Sequence, residues 1–183
     1  MKRRGGWLLA GLGLIALLGM GGCAHPSPPT PSTPLGVEGV GVVKIRSGLE
    51  KQSLRVAVMA RPGEVRIESR SPLGSPLFVL RLSGDAAFAW TAQRGAINPL
   101  ELAQALGWPQ LPDGRELARL ILSPQHNQMQ WDGATMTVES RNDQGLPESL
   151  QWQGHDWQGL GQLRAWSTLS GDEAVWMMPE GAP

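Results

Sequence analysis

Three kinds of side chain here could do chemistry: one thiol, three imidazoles and a scatter of carboxylates. His155 stands directly before Asp156, the nearest approach to a general base beside an orienting acid. Neighbouring residues on a strand or turn point apart, so the pair is expected on a solvated edge. His25 and His126 stand alone. No HxH, HExxH or Cys-His cluster offers zinc-ligand spacing, and no GxSxG or Ser-x-x-Lys marks an activated serine. The glycine-rich run at residues 36–43 (GVEGVGVV) would have to open a helix to cradle a phosphate, but it leads into a strand. The carboxylates fall at turns and helix ends, without an obvious catalytic pair. The expectation is a protein that is not an enzyme and that holds neither metal nor dissociable cofactor.

The thiol is the informative group. Cys23 is the one cysteine of the chain, so no internal disulfide can form. It closes an N-terminal segment ordered like an export signal: basic Lys2, Arg3 and Arg4, an apolar run over residues 7–19, then Met20-Gly21-Gly22. The apolar run is too short to span a bilayer comfortably. The arrangement resembles a bacterial lipobox, with Met20 where Leu is usual. That resemblance implies cleavage before Cys23 and a covalent lipid on its thiol, with several acyl chains as a stable anchor. Ala24 follows, where an Asp would favour inner-membrane retention, so outer-membrane sorting is the expectation.

Three regions follow. Residues 1–22 are expected to be a lipoprotein signal peptide. Residues 23–36 (CAHPSPPTPSTPLG) join the lipidated cysteine to a Pro-rich tether of about 40 Å reach. Residues 37–183 are expected to form one domain. Three of the 16 basic residues and none of the 16 acidic ones lie in the signal, so the remainder is mildly acidic. It lacks the basic excess that nucleic-acid binding requires, and no polybasic run follows the anchor to grip anionic headgroups. Eight Trp against two Phe and no Tyr is unusual, and invites an apolar cavity or rim as well as a core.

Period-two alternation runs through residues 42–46, 54–59, 65–70, 77–82 and 88–91, punctuated by turn residues such as Arg61-Pro62-Gly63. An antiparallel meander with one apolar and one wet face is predicted. Residues 99–106 carry Leu100, Ala103 and Leu106 at helical spacing, with Asn98 as N-cap and Gly107 as terminator. Residues 113–122 place Leu117, Leu120 and Ile121 on one helical face, with Asp113 and Glu116 as a capping box. Strands are predicted again over residues 128–131, 135–140, 149–153, 162–168 and 174–178, with Asp132-Gly133 as a hairpin turn. The fold class is α+β, a curved antiparallel sheet with helices over its concave side.

Two segments, residues 68–82 (ESRSPLGSPLFVLRL) and 99–122 (PLELAQALGWPQLPDGRELARLIL), resemble the outer-membrane lipoprotein receptor and insertase family LolB. The resemblance rests on Ser71-Pro72-Leu73-Gly74, Leu106-Gly107-Trp108 and Leu111-Pro112, in that order, and extends over residues 40–155. It implies an unclosed half-barrel with short helices as a lid over an apolar cavity. It implies a monomeric lipid-anchored protein of the outer membrane, facing the periplasm. Such a protein accepts acylated lipoproteins from a LolA-like periplasmic carrier and places them in the inner leaflet of the outer membrane. Pro72, Leu73 and Gly74 would form the membrane-insertion loop. The predicted acyl-binding wall takes Leu54, Val56, Val58, Val65, Ile67, Phe78, Leu80, Leu82, Trp90, Leu102, Leu106, Trp131, Trp152 and Trp166. An envelope lipid-binding or accessory lipoprotein on the same scaffold is the alternative.

Overall fold

The computed structural model describes residues 36–108 and 110–169; Cys23, the Pro-rich segment and the strand expected at 174–178 lie outside the described residues. In chain order the elements are β1 (Gly36–Ser47), β2 (Glu50–Arg61), β3 (Glu64–Arg70), β4 (Pro76–Ser83), β5 (Ala86–Thr91) and β6 (Gly95–Ile97). Then come α1 (Pro99–Ala105), α2 (Gly114–Leu122), β7 (Gln128–Trp131), β8 (Ala134–Arg141), β9 (Pro147–Gln153) and β10 (Trp157–Leu169).

The described strands form one antiparallel sheet in the order β6-β5-β4-β3-β2-β1-β10-β9-β8-β7. Strands β1 to β6 pair in sequence order, as do β7 to β10, and β1 also pairs with β10, so the chain's first and last described strands meet in mid-sheet. The edges are β6 and β7, which do not pair with one another. The sheet is an unclosed half-barrel, and α1 and α2 are the connection that runs from one edge strand to the other. Their apolar faces join the inward residues of the strands in a single core.

Local chemistry sets these boundaries. The Asn98 side chain accepts from Leu100 N–H at 2.9 Å and Pro99 opens α1, where its missing donor is no loss. Asp113 accepts from Arg115 N–H at 2.7 Å and from Glu116 N–H at 3.2 Å, capping α2. The reciprocal half of the predicted capping box does not form, because Glu116 turns outward to Arg119 at 2.8 Å. The far end of α2 is held by Arg141 of β8, which donates to the carbonyls of Leu120 (2.8 Å), His126 and Gly145 (both 2.7 Å). Asp132 and Gly133 both adopt positive φ, 39° and 77°, as a two-residue hairpin turn requires.

The expectation of one wet face fails at β3, which is buried on both faces. Its outward residues Glu64, Arg66 and Glu68 are all buried and charged. They persist there because they are paired. Glu64 bonds Arg61 and Arg81, and Glu68 bonds Arg66 at 2.8 Å and Arg70 at 2.5 Å. Strand β6 and the first half of β1 went unpredicted, being too short or too glycine-rich to show alternation.

Candidate functional site

A hollow of about 60 Å³ lies between the concave face of the sheet and the helical cover, and every surface exposed inside it is apolar. The strands supply Val43, Val56, Val58, Val65, Ile67, Met136, Leu150, Trp152, Gly161 and Leu163; the helical segment supplies Leu106, Trp108, Leu117 and Ile121. Antiparallel pairing explains the set. Val43, Val56, Val58, Val65 and Ile67 are alternate residues on inward-facing positions, and Val58 lies opposite Ile67. Leu117 and Ile121 are four apart on the buried face of α2.

Of the fourteen residues predicted for the wall, Val56, Val58, Val65, Ile67, Leu106 and Trp152 line this hollow. Phe78, Leu80, Leu82 and Leu102 are buried in the same core but away from it, and Leu54, Trp131 and Trp166 pack against the core partly buried. Trp90 is on the other face: it pairs with outward Val79, while Ala89 pairs with inward Leu80. The position assigned to it is corrected by that register, since consecutive residues of β5 point to opposite sides. The cavity itself is small. The volume is well below the roughly 300 Å³ of the smaller ligand pockets. Leu106 and Trp108 from the end of α1 occupy the space beneath the cover, where they are 4% and 5% exposed.

Sequence reasoning missed Trp108, Leu117 and Ile121, although the last two were already on one helical face. Val43, Leu150 and Leu163 required the register, which sequence does not supply. The Trp108 indole sits edge-on to those of Trp131 and Trp152, each with centroids 6.4 Å away. The indole N–H groups of Trp108 and Trp152 are buried and meet no acceptor among the described residues. Between α1 and Trp108, Gly107 adopts φ +76°, and a Cβ there would come within 2.7 Å of Ile45 Cγ2. Only glycine takes that conformation and that closeness without strain.

The loop at residues 71–75 is a closed turn. Ser71 N–H donates to Ser75 O at 2.8 Å and Gly74 N–H to Ser71 O at 2.9 Å, with Pro72 and Leu73 at the centre and Gly74 at φ +87°. Its geometry lifts Leu73 into solvent at 94% exposure, and Pro72 and Gly74 are exposed beside it. A leucine held out by a turn closed with two backbone hydrogen bonds presents its apolar side chain to solvent at little further entropic disadvantage. His155 and Asp156, by contrast, are 97% and 87% exposed and 3.8 Å apart, a solvated pair without the burial that tunes a general base. Among the described residues, no group of three or more His, Cys, Asp or Glu is placed to hold a metal ion.

No family model matches the sequence, and no curated protein matches it. Among solved structures the chain is similar to a LolA superfamily protein from Nitrosomonas europaea, with a TM-score of 0.50, 6% identity and coverage of 79% of this chain and 91% of that one. A DUF1329 family protein from Desulfovibrio piger gives a TM-score of 0.49 and 7% identity, covering 80% and 91%. At such identities the first likeness concerns the fold, which is LolA-like: an unclosed antiparallel half-barrel with two short helices.

Proposed function

We propose that this chain is a membrane-anchored handler of acyl chains, held at the outer membrane through Cys23. It takes the lipid tails of a lipoprotein from a periplasmic carrier between sheet and helical cover, and releases them into the bilayer. The observation that carries this reading is the wholly apolar lining of the hollow, combined with a fold of the LolA type. Exposing an acyl chain to water is unfavourable by about 0.8 kcal/mol per methylene. Apolar walls remove most of that penalty, so transfer becomes an exchange between apolar surfaces and needs no catalytic group.

A hollow of about 60 Å³ is the closed state of such a device. Admission of a chain requires the cover to move. The natural moving part is the segment Leu106-Gly107-Trp108, which fills the space, follows a helix of only seven residues and turns at a left-handed glycine. Displacing Trp108 opens volume along Leu117, Ile121 and Trp152. An ester or amide carbonyl entering there offers an acceptor to the indole N–H groups of Trp108 and Trp152. Leu73, on its rigid turn, is the group that enters the bilayer at the moment of release.

Depletion in the native host tests the reading. Lipoproteins should then accumulate on their soluble carrier and fall in the outer membrane. Normal outer-membrane lipoprotein levels after depletion would refute the insertase role. Free phospholipid recovered as the main bound species from purified protein would assign the same hollow to a lipid-binding accessory role instead.

A further inference from the structure

The sequence has no polybasic run, yet the sheet assembles one from dispersed residues. Consider the face opposite the hollow, where β1 lies between β10 and β2. Four successive outward rungs cross these strands: Arg164–Val40–Ala57, Gln162–Val42–Arg55, Leu160–Lys44–Ser53 and Gln158–Arg46–Lys51. Lys44, Arg46, Lys51, Arg55 and Arg164 therefore share one surface, and no carboxylate occupies any of the twelve positions. All five cations are exposed. Among the described residues, none of the five has a carboxylate at ion-pair distance, unlike Arg61, Arg70 and Arg81 on neighbouring parts of the sheet. The nearest outward acids are Glu68, which extends the Val40–Ala57 rung onto β3 and is bonded to Arg66 and Arg70, and Glu38, beyond the Val40 rung.

With a rise of about 3.4 Å per residue and about 4.8 Å between strands, the four rungs make a patch of roughly 20 by 10 Å. That is positive charge without carboxylate partners among the described residues, at the density that an anionic bilayer attracts. One end of the patch adjoins the exposed turn. Ser69 Oγ donates to Arg55 O at 2.8 Å, and a groove is lined jointly by Val40, Arg55, Arg164, Arg70, Ser71 and Pro72. Arg70 adds a sixth cation there, although its charge is shared with buried Glu68. Arg55, Arg164 and Arg70 thus share a groove with Ser71 and Pro72 of the turn that carries Leu73, which is 94% exposed.

We infer that the outward face of β10, β1 and β2 docks on a membrane surface rich in anionic phospholipid, with Leu73 as the apolar residue at the edge of the contact. The arginines and lysines meet lipid phosphates, and the turn enters the headgroup layer. This goes beyond acyl-chain handling: it fixes which side of the sheet faces the bilayer, and it depends on lipid charge, which the hollow does not sense. Each Lys or Arg held close to an anionic surface raises occupancy of the docked orientation about fivefold. Replacing three should lower it about a hundredfold.

The test uses the full chain, purified from membranes as the cell processes it and reconstituted into vesicles. A fluorophore replaces Ser53 in the middle of the face, or Asp143 in the exposed β8–β9 turn as control. Quenching by headgroup-spin-labelled lipid is compared between phosphatidylcholine vesicles and vesicles with about a third phosphatidylglycerol. Quenching at position 53 should appear only with the anionic lipid. It should vanish near 1 M salt, where the screening length is about 3 Å, and fall to background in the triple variant Lys51→Gln, Arg55→Gln, Arg164→Gln. The pair Lys44→Gln, Arg46→Gln should weaken it too, with unchanged melting temperatures in both sets. Equal quenching in the two vesicle types, or quenching that survives the triple variant, would overturn the inference. Acyl-chain binding by the hollow is read on the same samples through tryptophan fluorescence, so the two ideas fail separately.

Discussion

The indole of Trp152 lies flat on Gly159 of β10: a Cβ built at residue 159 would fall 2.0 Å from its Cε2. The two residues are cross-strand partners, and the missing side chain on one is the seat for the large one on the other. The same device recurs where Trp166 covers Gly39, with its ring 2.7 Å from the position a Cβ would take. High glycine and high tryptophan content are in this respect one feature. The glycines let broad rings lie on the concave face without filling the hollow.

Gly159→Ala should therefore destabilise the protein by about 1–3 kcal/mol, because an overpacked ring must move against its neighbours. Thermal unfolding monitors it. Trp152→Leu in the same chain should recover part of the loss, giving a coupling energy in a double-mutant cycle. Additive effects would show that the seat is not the cause.

Arg141 joins the end of α2, the following loop and the β8–β9 turn through the carbonyls of Leu120, His126 and Gly145. Burial draws its guanidinium below its ordinary pKa, yet an arginine stays charged throughout the working range. Arg141→Met should remove about 3 kcal/mol of unfolding free energy, since several carbonyls lose a charge-assisted donor. Arg141→Lys should recover only part, because a single ammonium cannot reproduce the fork. Denaturant titration distinguishes the two.

Asp113 gives a pH signature. Burial raises its carboxyl pKa, but the Arg115 and Glu116 N–H donors and the nearby Arg115 guanidinium outweigh that and leave it lowered from 3.8. A carboxyl depressed on folding contributes stability that is present above its unfolded pKa and is lost as pH falls through the folded value. Asp113→Ala should lose about 1 kcal/mol near neutrality. Asp113→Asn keeps an uncharged cap. Its melting temperature should differ most from that of the parent near neutrality, and the gap should narrow below about pH 4.

Leu73→Glu changes a side chain that supports no core, so unfolding should be unaffected within about 0.5 kcal/mol. Delivery of lipoprotein to vesicles should nonetheless fall sharply, while uptake from the carrier persists. A variant that takes up and delivers cargo normally would remove Leu73 from the release step.

Most of the fold was legible because alternation and capping act locally. The strands around Val56–Val58 and Val65–Ile67, both helices and both N-caps follow from spacing and residue type alone. The meeting of β1 with β10 was not legible, since pairing between residues such as Lys44 and Leu160 leaves no local mark. The site suffered from the same gap. Trp90 and Trp152 both look like cavity aromatics in sequence, and only cross-strand register separates the outward ring from the inward one. The buried Glu64 and Glu68 were equally invisible, because a charged residue on a strand suggests solvent until its partners are known.

Entry of an acyl chain into the hollow is the central claim, and fluorescence quenching by a mid-chain-brominated acyl lipid tests it most directly. Trp108 and Trp152 line the hollow and are nearly inaccessible to solvent. The account predicts saturable quenching whose amplitude largely disappears in the Trp108→Phe, Trp152→Phe double variant. Quenching that rises linearly without saturation, or that persists undiminished when those two rings are replaced, would contradict it.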